Sequence, residues 1–162
     1  MKNWDKRAKE IAYLLNPAFS GRIIYQVIRS YSEETKRPMP FPLIYIILPL
    51  VLHKKTRERI KSITQMQVWI KRNQELLIGF ADRTRDLVEI TNETIEYLMQ
   101  SGIVTLNNNA ELEIAEAFKY LSKTKYTNEE IKECINKSIS VAKWFAKAGT
   151  VETIYTSWGI RP

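Results

Sequence analysis

Apolar positions recur along most of this chain at the spacing of one helical face. Residues 3–15 place Trp4, Ile11, Leu14 and Leu15 among Lys, Arg and Glu, which predicts a first amphipathic helix. Asn16 followed by Pro17 predicts a second start, because Asn caps well and Pro at the first helical position loses no needed N–H. From there Ile24, Val27, Ile28 and Tyr31 form a stripe, and residues 32–40 read as a loop. Pro42 to Leu52 is apolar on all sides, the pattern of a helix buried all round. Pro49 is expected to kink or split it. This block reads as core, with a groove for a partner's helix as the sharper alternative.

Thr56 is expected to cap a short basic helix, Arg57 to Ile63, and Thr64 to cap the next, with Met66, Trp69 and Ile70 on its inner face. Leu76, Leu77, Phe80, Ala81, Thr84, Leu87 and Val88 form a further stripe over 74–88. Thr91 is expected to cap a helix over 92–101, with Ile95, Leu98 and Met99 apolar, and Gly102 to end it in a left-handed conformation. The period then changes from helical to two. Residues 103–106 and 111–114 alternate around Asn107 to Ala110, which predicts a hairpin whose turn uses asparagine's tolerance of positive φ. A short helix over 115–123 follows. Thr127 to Glu130 fits a capping box for a long helix carrying Ile131, Ile135, Ile139, Ala142 and Phe145. Gly149 closes that helix, and Thr150 opens a last one through Tyr155 and Trp158 to Gly159. Helix, glycine, hairpin is the C-terminal half of a winged-helix unit. The predicted fold is therefore mainly α: a multi-helix body with a small winged-helix-like β-hairpin unit. It divides into stretches 1–64, 65–116 and 117–162 of one compact domain.

Composition narrows the chemistry. The 162 residues contain one His and one Cys, too few for a zinc site of the ordinary kind. A Ser-His-Asp or Cys-His device would have to use His53, and His53 beside Lys54 and Lys55 reads as a capping or hydrogen-bonding residue. Five scattered glycines form no phosphate-cradling loop. No catalytic residue, cofactor or metal site is predicted. The longest apolar run, Phe41 to Leu52, is shorter than the roughly 20 residues that span a bilayer, and no secretory signal opens the chain. A lone Cys134 suits the cytoplasm.

Charge singles out one segment. With 25 Lys+Arg against 18 Asp+Glu the chain carries +7, and Lys54, Lys55, Arg57, Arg59 and Lys61 against Glu58 supply +4 of it within nine residues. This strip reads as a patch for phosphate or for an acidic partner, or else as a solvated connector. The helix before the hairpin carries Glu93 and Glu96 and no cation, which argues against reading of base edges. Trp4, Trp69, Trp144 and Trp158 read as core or interface anchors. Arg83 and Arg85 beside Asp82 and Asp86 read as an exposed ion-pair face.

Four strings together carry a resemblance over essentially the full chain. They are Asn16 to Phe19 (NPAF), Pro38 to Leu43 (PMPFPL), Leu48 to Arg57 (LPLVLHKKTR) and Trp158 to Pro162 (WGIRP). In this order they resemble the middle component of bacterial three-component ABC systems. The resemblance implies a small non-catalytic subunit working beside an ABC ATPase of the SMC/Rad50 type and an effector carrying a nuclease or another toxic domain, as in Lamassu-type defence against phage and plasmids. ATP and Mg would then belong to the ATPase, and double-stranded DNA would be met through the complex. The family pattern carries over to Asn16, Pro17, Phe19, Pro49, His53, Thr56, Arg57, Gly159, Arg161 and Pro162, of which Asn16, Pro17, Phe19, Pro49, Thr56, Gly159 and Pro162 are expected to be structural positions. His53, Lys54, Lys55, Arg57, Arg59, Lys61 and Arg161 are the candidates for contact with a partner or with DNA. A stand-alone winged-helix DNA-binding regulator is the alternative class, and an enzyme acting through His53 a third.

Overall fold

The computed structural model describes residues 16–121 and 125–161. The expected helix over 3–15, with Trp4, and the closing Pro162 lie outside the described residues. Eight α-helices and a small antiparallel sheet make the described chain mainly α. Helix α1 spans Pro17–Thr35. The Asn16 side chain accepts from the Ala18 N–H at 2.8 Å, satisfying one of the amides a helix start leaves open. The helix runs one turn past the predicted Tyr31, and Lys36 closes it at φ +58. The expected loop over 32–40 therefore shrinks, and Met39–Pro40 becomes strand β1.

After a 3-10 turn over Phe41–Leu43, helix α2 spans Ile44–Val51 with Pro49 inside it. Pro49 neither splits nor ends this helix, because the Leu52 N–H still reaches the Leu48 carbonyl at 2.9 Å. A proline here costs about 3 kcal/mol, yet Ile44, Ile46, Ile47, Leu48, Leu50 and Val51 are all fully buried. Each such side chain contributes about 1.5–3 kcal/mol, so burial outweighs the lost hydrogen bond. The apolar block is the centre of the core and not a groove.

Short helices α3 (Lys54–Arg59), α4 (Met66–Arg72) and α5 (Phe80–Asp86) follow, with a 3-10 turn over Gln74–Leu77 between the last two. Neither Thr56 nor Thr64 caps: the N-cap residues are His53 and Gln65. Helix α6 spans Val88–Gln100. Thr91 lies inside it, since its amide already donates to the Leu87 carbonyl within the helical ladder. Gly102 closes α6 at φ +69. A close approach joins α6 to α1: a side chain at Gly21 would begin 3.3 Å from Leu98 Cδ2, and beside it Ser20 and Thr94 share a buried hydroxyl hydrogen bond of 2.7 Å.

Strands β2 (Val104–Leu106) and β3 (Glu111–Ile114) form the predicted hairpin. Val104 stands opposite Ile114, and Leu106 opposite Leu112. The left-handed turn residue is Ala110 at φ +57, not an asparagine. Asn107 contributes differently, its side chain accepting from the Asn109 and Glu111 amides. Strand β1 joins on the other side of β3, giving the order β1-β3-β2. The helix expected over 115–123 is a 3-10 turn, Glu116–Phe118, in its described part. Helix α7 spans Glu129–Lys147; its cap is Asn128, one residue beyond the expected Thr127. Helix α8 spans Val151–Ser157, capped by Thr150 as predicted. One apolar core runs through all three stretches of the chain. It includes a cluster in which Trp158 lies 4.9 Å from Phe80 and 5.8 Å from Trp69 between ring centres.

Candidate functional site

Helix α3 has two faces. Thr56, Arg57 and Ile60 point inward and are buried, whereas Lys54, Lys55, Glu58, Arg59 and Lys61 are exposed. The carbonyls that follow are tied down. Arg59 accepts from the Trp69 indole N–H at 2.7 Å, Ile60 from the Lys137 ammonium, and Thr64 from the Trp144 indole at 2.8 Å. Two tryptophans thus use their polar atoms to fix the basic segment while their rings fill the core. The cations are presented from a fixed frame.

Arg57 departs from the expectation that it is a contact residue. It is only 1% exposed. Its guanidinium donates to Glu133 at 2.8 Å and Glu130 at 2.7 Å on α7, and to the Val51 carbonyl at 3.0 Å. Burial opposes its charge, but the bonds to Glu133 and Glu130 outweigh burial and leave its pKa above the ordinary arginine value. Arg57 is a clasp between α2, α3 and α7. The reason is register: three residues before Ile60, it falls on the inner face. Thr56 is likewise internal, its hydroxyl 2.8 Å from His53 Nδ1. His53 stands at the N-cap position of α3 without a side-chain cap bond; its ring bonds the Thr56 hydroxyl instead, the hydrogen-bonding role of the two expected for it.

The sequence also misplaces Arg83. Its partner is neither Asp82, which pairs with Arg85 at 3.1 Å, nor Asp86. It lies over the Phe80 ring and donates to the Leu76 and Ile78 carbonyls, both at 3.1 Å. Its Nε is buried without a hydrogen-bond partner, and burial lowers its pKa. The signal was available: Phe80, Arg83 and Leu87 are spaced i, i+3, i+7, which puts Arg83 on the apolar face.

These side chains meet around a concavity of about 510 Å3, lined by His53, Lys55, Glu58, Arg59, Glu75, Leu76, Ile78 and Arg83. Lys54 lies beside it, reaching Glu58 at 3.9 Å, while Arg59 pairs with Glu75. His53 is held below its ordinary pKa by burial and by the charges of Arg83, Lys55 and Arg57. The basic tract continues to α4, where Lys71 and Arg72 are exposed. From 53 to 72 the cations Lys54, Lys55, Arg57, Arg59, Lys61, Lys71 and Arg72 face the single anion Glu58.

Arg161 is exposed and lines a different concavity, with Tyr45, Thr84, Arg85, Tyr155 and Gly159. Helix α5 separates the two, with Arg83 on one side and Ala81, Thr84 and Arg85 on the other. Of the structural positions, Asn16 caps α1, Pro17 is its first residue, Phe19 packs on the core, Pro49 is buried, and Gly159 has φ +71. Cys134 is buried against the Val51 carbonyl, and burial pushes its thiol up to about 11, which leaves no nucleophilic thiolate at neutral pH. Among the described residues no group of three or more His, Cys, Asp or Glu is placed to hold a metal ion, and no helix is long and apolar enough to cross a membrane.

What the described surface offers is charge and concave shape on a helical body. Residues 4–162 match the family model for the ABC-three component (ABC-3C) system Middle Component 3. The chain belongs to this family, and as a middle component it takes its place beside the other components of an ABC system. No curated protein and no solved structure matches it.

Proposed function

We propose that this chain is the non-catalytic adaptor of its ABC-3C system, joining an SMC/Rad50-like ATPase to an effector such as a nuclease in cytoplasmic defence against phage or plasmids, of the Lamassu type. The match over residues 4–162 carries this reading. ATP and Mg are bound by the ATPase, and double-stranded DNA is met by the assembled complex. The organisation of the fold supports the adaptor role. Strand β1 follows α1, the hairpin follows α6, and β1 pairs with β3, an order that we read as winged-helix-like with α3 to α5 inserted. Its α6, however, carries Glu89, Glu93 and Glu96 and no cation. A helix of that charge is suited to packing against protein and unsuited to a phosphate-lined groove.

Co-expression with the two companion components tests the reading. An adaptor co-purifies with both, and omitting it leaves the ATPase and effector separate. A companion pair that assembles and defends equally well without this chain overturns it. So does tight, sequence-dependent duplex binding by the isolated chain at about 150 mM salt, which is the behaviour of a regulator.

A further inference from the structure

The concavity at 53–83 combines three features that no hydrogen bond within the fold explains. First, its positive charge is not balanced. The carboxylate of Glu75 is taken by Arg59, and Glu58 leans toward Lys54, while among the described residues no acidic side chain is hydrogen-bonded to Lys55, His53 or Arg83. Second, Arg83 is half-buried; among the described residues its charge faces carbonyls and the Phe80 ring, and its Nε has no hydrogen-bond partner. A desolvated cation without a counter-charge is costly until an anion arrives. Third, an apolar side chain stands among the cations: Ile78, which lines the concavity, is 77% exposed. Exposed aliphatic side chains beside a charged pocket mark a protein partner. A nucleic-acid backbone gives such a side chain nothing to pack on.

Resting on the adaptor reading above, we propose that this concavity receives a carboxylate side chain from an acidic segment of a companion protein, between Lys55, His53 and Arg83, with an apolar residue of the same segment covering Ile78. The docked segment is acidic and apolar in alternation. It supplies the counter-charge that Arg83 lacks, and Lys54, Lys61, Lys71 and Arg72 steer its approach.

The test uses the full-length chain and its two companion components, with affinity read by biolayer interferometry at about 150 mM salt. Lys55→Glu and Ile78→Asp alter exposed side chains, and circular dichroism confirms that each variant folds. Each is expected to weaken capture of one companion at least tenfold, while Lys119→Glu, on an exposed residue outside the concavity, changes it less than twofold. A 30-base-pair duplex in excess is expected not to displace the companion. If the wild type captures neither companion, the adaptor reading and the docking site both fall. If the wild type captures them and Lys55→Glu and Ile78→Asp bind as well as it does, the docking site alone is overturned. Displacement by the duplex assigns the surface to DNA and overturns the proposal; a Lys55→Glu loss that Ile78→Asp does not share removes the apolar contact and overturns it as well.

Discussion

Two arginines of this chain are turned inward, Arg57 from α3 and Arg83 from α5, and their surroundings differ in one respect. Arg57 meets two carboxylates, Glu130 and Glu133, as well as the Val51 carbonyl. Among the described residues Arg83 meets only carbonyls and an aromatic ring. The first arrangement is closed: charge, donors and acceptors are matched, and the residue fastens one helix to another. The second is open, with a counter-charge still missing, and it sits in the wall of a concavity. Burying a cation with its partner makes a clasp, whereas burying one without a partner makes a receptor for an anion.

Removing each arginine should therefore have opposite signatures. Arg57→Met leaves Glu130 and Glu133 without a partner and frees the Val51 carbonyl. Because Glu130 and Glu133 are partly exposed and rehydrate, a loss of about 2 kcal/mol is expected from the lost charged hydrogen bonds, read in urea denaturation as a lower midpoint at unchanged slope. A loss below about 1 kcal/mol would make the clasp a bystander. Arg83→Met removes two hydrogen bonds but also a desolvated charge, so stability should change by about 1 kcal/mol or less, while affinity for the captured companion falls. A large stability loss with unchanged affinity would put Arg83 in the same class as Arg57. Smallest of all, Lys54→Gln and Lys61→Gln should move stability by no more than about 0.5 kcal/mol, since the outer face of α3 does not hold the fold.

Much of the fold is legible in the residues themselves. The caps at Asn16 and Thr150, the stop at Gly102, the hairpin and the buried block at 44–51 all follow from local chemistry that tertiary packing reinforces. The errors arise where local rules compete. Thr91 has the chemistry of a cap, but α6 starts a turn earlier, directly after α5, and its amide is already bonded within the helical ladder. Pro49 has the chemistry of a helix breaker, yet it lies among residues whose burial outweighs one hydrogen bond. The site is less legible for a physical reason. Charge density along the chain locates the basic strip, but it cannot say that Arg57 turns in while Lys54 and Lys55 turn out. Glu130 and Glu133 stand more than seventy residues from Arg57. Arg83 is masked by Asp82 and Asp86, whose proximity in sequence suggests pairs that the helix register does not make.

The central claim, that the concavity at 53–83 awaits an anion, is most directly tested at His53. It is the only histidine of the chain, so its imidazole can be followed alone by NMR. In the free protein its pKa should lie below the ordinary 6.5, because burial and the charges of Arg83, Lys55 and Arg57 disfavour the protonated ring. The unfolded chain then takes up the proton first, so folding stability is lost as pH falls through 6.5 toward the folded value and is fully present above it. When the companion docks, its carboxylate should raise the His53 pKa, by more in the wild type than in Lys55→Glu. A His53 pKa that stays unchanged or falls on assembly would mean that no anion has entered the concavity, and would contradict the account.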